Sequence, residues 1–340
     1  MIPNELLLIL FVSTFALAAP GTLCIRAIAI RSGMMDLPSQ RSSHFVPTPR
    51  GGGLAIVVAH FIALIGLHVF GYITTRELFA LIGGGGAVAF VGFLDDRRSV
   101  SATARFVVHL GAAIIVVALI GGVPMGGAAN GEGRALWIGQ AIGLAGIAWA
   151  INLFNFMDGI DGIAGAEAVF VSFAAGAMIF LSSNDAGLVG SFGTLGMASL
   201  GFLVWNWPPA RIFMGDVGSG FLGFMLAALA ILASHRIMLP VQVWPILGGV
   251  FLVDASITLV WRMVHGGRWY EAHRTHAYQR LARAWGGHIA VTLFVCAVNV
   301  CWLLPWAWYA AAHPPTATMC LVIALSPLVL GAIWAGAGRP

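Results

Sequence analysis

No lysine occurs in the 340 residues, and charge of either sign is scarce at 9% of the chain, against about a quarter in a typical soluble domain. With 59% of residues hydrophobic, water is excluded as the main solvent. Cysteine is also sparse. Cys24, Cys296, Cys301 and Cys320 all fall in apolar runs, where a small buried hydrophobe is the expected role and a disulfide framework is not. No positively charged segment precedes the first apolar run, which is longer than a signal-peptide core. A retained first span is therefore expected rather than a cleaved leader.

What is present is a series of apolar stretches, near 5–30, 52–71, 77–94, 104–123, 137–154, 163–182, 186–205, 212–234, 241–263, 288–310 and 317–336. Each approaches the roughly 20 apolar residues that a membrane helix needs. The fold class expected is an all-α polytopic membrane protein with about eleven spans, one domain over residues 1–340, and Trp207, Trp244, Trp269, Trp302 and Trp306 in interfacial belts. The arginines give the orientation. Arg26, Arg31, Arg41, Arg50, Arg97, Arg98, Arg105, Arg211, Arg262, Arg268, Arg274, Arg280, Arg283 and Arg339 fall on one side, and only Arg76, Arg134 and Arg236 on the other. Such a bias puts the N-terminus outside and the C-terminus in the cytoplasm. The net charge of +4 then reflects topology and anionic partners at the inner leaflet, with no nucleic acid implied.

Of the thirteen carboxylates, nine (Asp36, Asp95, Asp96, Asp158, Asp161, Glu167, Asp216, Asp254 and Glu271) lie in or beside the expected cytoplasmic loops. Those loops run near 31–51, 95–103, 152–162, 206–216 and 264–287. Acids beside arginines at one membrane face suit a divalent cation with a phosphate-bearing substrate, since carboxylates hold the cation and Arg grips phosphate in bidentate fashion. Solvated loops are the plainer alternative for any one residue.

Asp95 and Asp96 end the apolar run from Phe90 to Leu94, where the helix dipole disfavours negative charge by a few tenths to about 1 kcal/mol each. Arg97 and Arg98 could offset that structurally; a metal or substrate pair is the functional alternative. Asn152, Asn155, Asp158 and Asp161 recur every three residues, a spacing that falls about 60° short of a full helical turn at each step. They can converge only if the helix breaks, as Gly159 and Gly162 suggest. Asp216 follows the Pro208-Pro209 break and opens a small-residue run with Ser219, so it sits near a helix N-terminus where an anion or metal-bound phosphate is received. The formal GxGxxG at Gly218, Gly220 and Gly223 has no preceding strand and reads better as close helix packing.

His265, Arg268, His273 and His276 share the longest cytoplasmic loop, with Arg and His better suited to a diphosphate than to a cation. An amphipathic helix carrying positive-inside charge is the alternative. Arg41, His44 and Arg50 sit in a proline-stiffened loop that ends in Gly51-Gly52-Gly53 before a helix, another place able to receive phosphate.

Together these segments, in order between residues 36 and 280, resemble the polyprenyl-phosphate N-acetylhexosamine-1-phosphate transferase superfamily, glycosyltransferase family 4. The resemblance implies a ten- or eleven-helix fold with a cytoplasmic site in the bacterial inner membrane. It also implies magnesium (manganese being the alternative), a UDP-N-acetylhexosamine donor and a prenyl phosphate acceptor, usually undecaprenyl phosphate; some relatives suggest a homodimer. By motif position, Asp95 and Asp96 resemble the family's catalytic pair and Asp216 its metal ligand. Asn152, Asn155, Asp158 and Asp161 are similar to the nucleotide site. His265, Arg268, His273 and His276 resemble the diphosphate and sugar loop, and Arg41, His44 and Arg50 the lipid-phosphate loop. The string from Ala272 to Gln279 looks more like O-antigen or lipopolysaccharide initiators than like the muramyl-pentapeptide branch, which carries three consecutive histidines. The pattern departs from many members at Ser42, where they have Lys.

The reaction this implies is attack of a prenyl-phosphate oxygen on the β-phosphorus of the UDP-sugar with release of UMP, either directly or through a phosphorylated Asp. Muramyl-pentapeptide transfer is the nearest alternative. A proton-coupled secondary transporter is the rival from another class; it would place acids at the bilayer midplane within inverted repeats, whereas only Asp254 and Glu167 fall inside spans and no repeat is evident.

Overall fold

The computed structural model describes residues 4–38, 46–125, 133–266 and 274–339. Their helices are α1 (Asn4–Ser32), α2 (Leu54–Val69), α3 (Thr75–Arg97), α4 (Ala102–Leu119), α5 (Arg134–Met157), α6 (Ile163–Ser182), α7 (Ala186–Asn206) and α8 (Asp216–Arg236). They continue as α9 (Val243–Leu247), α10 (Gly249–Val264), α11 (Ala277–Ala284), α12 (His288–Val298), α13 (Leu304–Ala312) and α14 (Ala317–Trp334). A π-helical turn, Asn299–Leu303, joins α12 to α13. Beside them stands one two-residue antiparallel hairpin, β1 (Met35–Asp36) with β2 (Thr48–Pro49).

Among the described residues, nine helical segments are long and apolar enough to cross a membrane. Two of the expected spans take another form. At 16 residues, α2 reaches about 24 Å, short of a hydrocarbon core of about 30 Å. The stretch expected at 241–263 divides into α9 and α10 at Gly248, because Pro245 has no N–H to give the preceding turn and the Gly248-Gly249 pair costs little to bend. Leu8, Phe79, Phe90, Leu330 and Trp334 are exposed on the outside, as lipid-facing side chains would be. Cys320 is buried as expected, but Cys24 and Cys301 are exposed; all four thiols are free. A lipid-facing surface suits a small apolar side chain as well as a core does, so apolar context in sequence does not separate the two.

The centre of the molecule is α8, buried along almost its whole length. It runs antiparallel to α3, and the pair is fastened at both ends. At one end Arg236 lies 2.7 Å from Glu77 and 3.1 Å from Asp185, the residues that cap α3 and α7. At the other, Asp96 of α3 accepts the first amides of α8. Glycines permit the approach between. A methyl group on Gly92 would strike the Asp216 carbonyl, and one on Gly53 would strike Gly218, which brings the start of α2 onto α8. The β2 arm is laced to the same end: Phe213 N donates to Pro49 O at 2.8 Å, and Gly52 and Gly53 donate to Phe213 O and Met214 O. Three stretches distant in sequence, 49–53, 92–96 and 213–218, thus meet at one end of the bundle.

Candidate active site

Two carboxylates at this end hold structure. The Asp96 side chain, 1% exposed, accepts Asp216 N on Oδ1 at 3.0 Å and Val217 N on Oδ2 at 3.2 Å, so it satisfies amides that the first turn of α8 cannot pair internally. Gly215, at φ +75, presses against this carboxylate with no room for a Cβ. Arg50 donates to the carbonyls of Asp96 and Asp95 at 3.0 and 3.1 Å, a cation satisfying the C-terminus of α3. Asp161 accepts Ala210 N on Oδ2 at 3.0 Å, and His288 Nδ1 lies 3.2 Å from its Oδ1. Thr292 donates to its carbonyl.

A second set is more open. Asp95 accepts Val100 N at 2.6 Å on Oδ1 and Arg105 Nη1 at 2.7 Å on Oδ2. The same Arg105 nitrogen reaches Asp216 Oδ2 at 3.1 Å. Asp216 is the most exposed of the three, at 31% against 14% for Asp95. Asn155 Nδ2 lies 3.3 Å from Ser219 Oγ, in the first turn of the same helix as Asp216, and the charges of Asp95 and Asp96 act on the Asp216 carboxylate. Asp158 ends α5 half-buried. Burial, followed by the charges of Asp216, Asp96 and Asp161, holds its carboxyl well above the usual range.

The last loop reaches the site through α11. Asp254 accepts Ala277 N and Tyr278 N at 2.9 and 2.8 Å, with His276 Nδ1 3.2 Å from the same carboxylate. Tyr278 then donates to Phe156 O at 3.0 Å, which seats α11 against the end of α5. Burial first, then the charges of Asp254 and Asp158, pushes the Tyr278 hydroxyl well up.

Residues 78–234 match the family model for glycosyl transferase family 4. A probable undecaprenyl-phosphate N-acetylglucosaminyl 1-phosphate transferase of Bacillus subtilis is 30% identical over 269 residues, 76% of this chain and 72% of that protein. The chain belongs to glycosyl transferase family 4, the polyprenyl-phosphate hexosamine-1-phosphate transferases. A decaprenyl-phosphate N-acetylglucosaminephosphotransferase of Mycobacterium tuberculosis is 28% identical over 80% of this chain and 74% of its own. A phospho-N-acetylmuramoyl-pentapeptide-transferase of Moorella thermoacetica is 28% identical over 61% of this chain and 66% of its own.

The family 4 site residues expected from sequence separate in space. Asp95, Asp96, Asn155, Asp158 and Asp216 come together. Asn152 instead returns its amide to Ala148 O on its own helix at 2.7 Å. His265 is exposed and stacks on Trp261 at 4.0 Å. Arg41, His44, Arg268 and His273 lie outside the described residues. Arg105, Tyr278, Gln279 and His288 were not singled out in the sequence. Arg105 carried one usable signal, a cation in the first turn of the span after the Asp95-Asp96 pair.

For a metal, the donor set is decisive. Among the described residues no three His, Cys, Asp or Glu side chains form a group that could hold an ion. Magnesium does not need one, because it keeps several waters and is usually held by one or two carboxylates together with substrate phosphate. Asp216, the most open of the three carboxylates and faced by Asp95, fits that demand; Asp96, already filled by amides, does not.

Proposed function

We propose that this family 4 member transfers N-acetylhexosamine-1-phosphate from a UDP-sugar to undecaprenyl phosphate at the cytoplasmic face of the bacterial inner membrane, initiating a cell-surface polysaccharide such as O-antigen. The observation that carries the reading is the meeting of Asp95, Asp158, Asp216, Asn155 and Arg105 at one end of the apolar bundle. The arginine bias supports a cytoplasmic position for that end, with the N-terminus outside. The acceptor class follows the relatives' names. An apolar cavity of about 320 Å³ between α5, α8, α9 and α10, lined by Trp149, Phe154, Leu226, Trp244 and Leu252, is suited to a prenyl chain.

In this reaction an oxygen of the prenyl phosphate forms a bond to the β-phosphorus of the donor. The bond from that phosphorus to the bridging oxygen breaks, and UMP leaves with the electron pair. The acceptor's second pKa is about 6, so at neutral pH it arrives mostly ionised and needs no strong base. Asp95, held by Val100 N and Arg105, positions rather than deprotonates. Arg105 supplies the cation that draws phosphate toward two carboxylates. Magnesium held at Asp216 would neutralise diphosphate charge.

Neither rival gains an observation. Asp254 and Glu167, the acids inside spans, serve contacts to α11 and to Asn299 Nδ2 at 2.6 Å. The muramyl-pentapeptide relative covers less of the chain. The test is UMP release by purified protein from a panel of UDP-N-acetylhexosamines with undecaprenyl phosphate, magnesium or manganese, and an Asp216→Ala control. Release that requires lipid, metal and Asp216 is expected. Folded protein that releases no UMP from any sugar would overturn the proposal.

A further inference from the structure

Helix α11 has only 8 residues, fewer than an isolated helix needs to hold together in water, so its place depends on what grips it. One grip lies on the α5 side: Asp254 takes its first two amides, and the Tyr278 hydroxyl donates to Phe156 O. Arg280 stands two residues on, about 200° around the helix, and reaches a different element. Its Nε donates to Ala335 O at 3.0 Å and its Nη1 to Arg339 O at 3.2 Å.

These acceptors belong to a strap, residues 335–339, that follows α14. Gly336, at φ +79, ends α14 in a Schellman motif, with Gly336 N donating to Ile333 O at 3.0 Å and Ala337 N to Ala332 O at 2.9 Å. The chain is thereby turned back over the end of the bundle. Ala337, 2% exposed, packs with Val253 of α10, Ala277 of α11 and Ala332 of α14 in a small cluster apart from the main core. Gly338, at φ +81, donates its amide to Thr275 O at 2.7 Å, and a Cβ on it would lie 2.7 Å from that of Trp261. Helix α11 is thus gripped between the end of α5 and the end of α14. The α5 side matters to the chemistry, because Phe156 stands two residues before Asp158 and Gly159 leaves no room for a Cβ beneath the Tyr278 hydroxyl. Resting on the transferase reading above, we infer that Arg280 is a positioning residue which, through the 335–339 strap, holds α11 against the end of α5 and so keeps Asp158 in register for the nucleotide-sugar donor. A donor that binds only the gripped arrangement loses affinity in proportion to the fraction of molecules so arranged.

The test uses full-length Arg280→Met, Arg280→Lys, Gly338→Ala and the Arg280→Met, Gly338→Ala double variant in detergent, each confirmed folded by its thermal transition. Binding of UMP and UDP-N-acetylglucosamine is measured by calorimetry, and UMP release gives a KM for each substrate. Arg280→Met removes both bonds to the strap, whereas Gly338→Ala displaces the strap and leaves every side chain of α11 intact. Each is expected to weaken nucleotide binding and raise the donor KM roughly tenfold, with kcat and the KM for undecaprenyl phosphate little changed. The double variant should be no worse than either single one, because both release the same grip. Arg280→Lys, which keeps a cation and a donor, should recover part of the loss. Additive losses in the double variant, or a loss in Arg280→Met alone, would make Arg280 a ligand in its own right and overturn the strap. Folded variants that all bind as the wild type does would overturn it too, and leave the transferase reading intact. Wild-type protein that binds no uridine nucleotide would sink the transferase reading and this inference with it.

Discussion

Asp96→Ala and Asp216→Ala should both abolish activity but differ in what they do to the fold. Asp96 is 1% exposed and its carboxylate holds two amides of α8 while lying 3.6 Å from Arg50 Nε. Hydrogen bonds to a charged group are worth about 1.5–3 kcal/mol each, and losing a cap costs about 1 kcal/mol when water can replace it. With some water reaching the helix end, Asp96→Ala should lose about 2–4 kcal/mol, or roughly 4–8 °C in the melting transition at about 2 °C per kcal/mol. Asp216 is 31% exposed and its bridge is to Arg105, itself 33% exposed, so the pair is worth at most about 1 kcal/mol. Its removal also relieves crowding with Asp95. The Asp216→Ala protein should therefore melt within about 2 °C of wild type. The assay is thermal unfolding of detergent-purified variants, read together with UMP release. An Asp96→Ala protein that melts like wild type yet is inactive would refute the anchoring role and return Asp96 to the substrate.

Other consequences follow from the same geometry. Arg236→Ala removes the clasp at the far end, where Arg236 is 20% exposed and bonded to Glu77 and Asp185; it should cost about 2–4 kcal/mol while UMP release per folded molecule stays at the wild-type level. Gly215→Ala places a Cβ against the Asp96 carboxylate at a φ of +75 and ψ of 167, a backbone region almost confined to glycine that costs other residues about 1–3 kcal/mol; a lowered melting temperature and lost activity are expected, and an active, stable variant would contradict the packing. Asp158 supplies a pH signature. Its folded pKa lies above the unfolded value, so its stabilising term is complete below the unfolded pKa of about 3.9 and is lost as pH rises through the folded value. In EDTA this term should lower the melting temperature of the wild type as pH is raised through the range in which the buried Asp158 ionises, and Asp158→Asn should flatten that dependence.

The membrane class and the end at which the polar motifs meet were legible because both are written in local order: apolar runs of span length, and acids punctuating their ends. The break at Gly248 was less so, since α9 and α10 are as apolar as an unbroken span and only Pro245 and two glycines mark the difference. What sequence could not separate was carboxylates that hold helices from carboxylates that face a substrate. Asp95 and Asp96 are neighbours with the same chemistry, yet Asp96 meets amides 120 positions away and Asp95 turns to Arg105. The three-residue spacing from Asn152 to Asp161 likewise suggests one array, whereas the ends of that array are tied to Ala148, Ala210 and His288 and its middle members, Asn155 and Asp158, approach Asp216. The division has a physical reason. A centre that must face Asp216 toward charged phosphate has to resist the repulsion of its own acids. Committing Asp96 and Asp161 to backbone amides fixes the helix ends through the main chain, which leaves Asp216 and Asp158 free to respond to what binds.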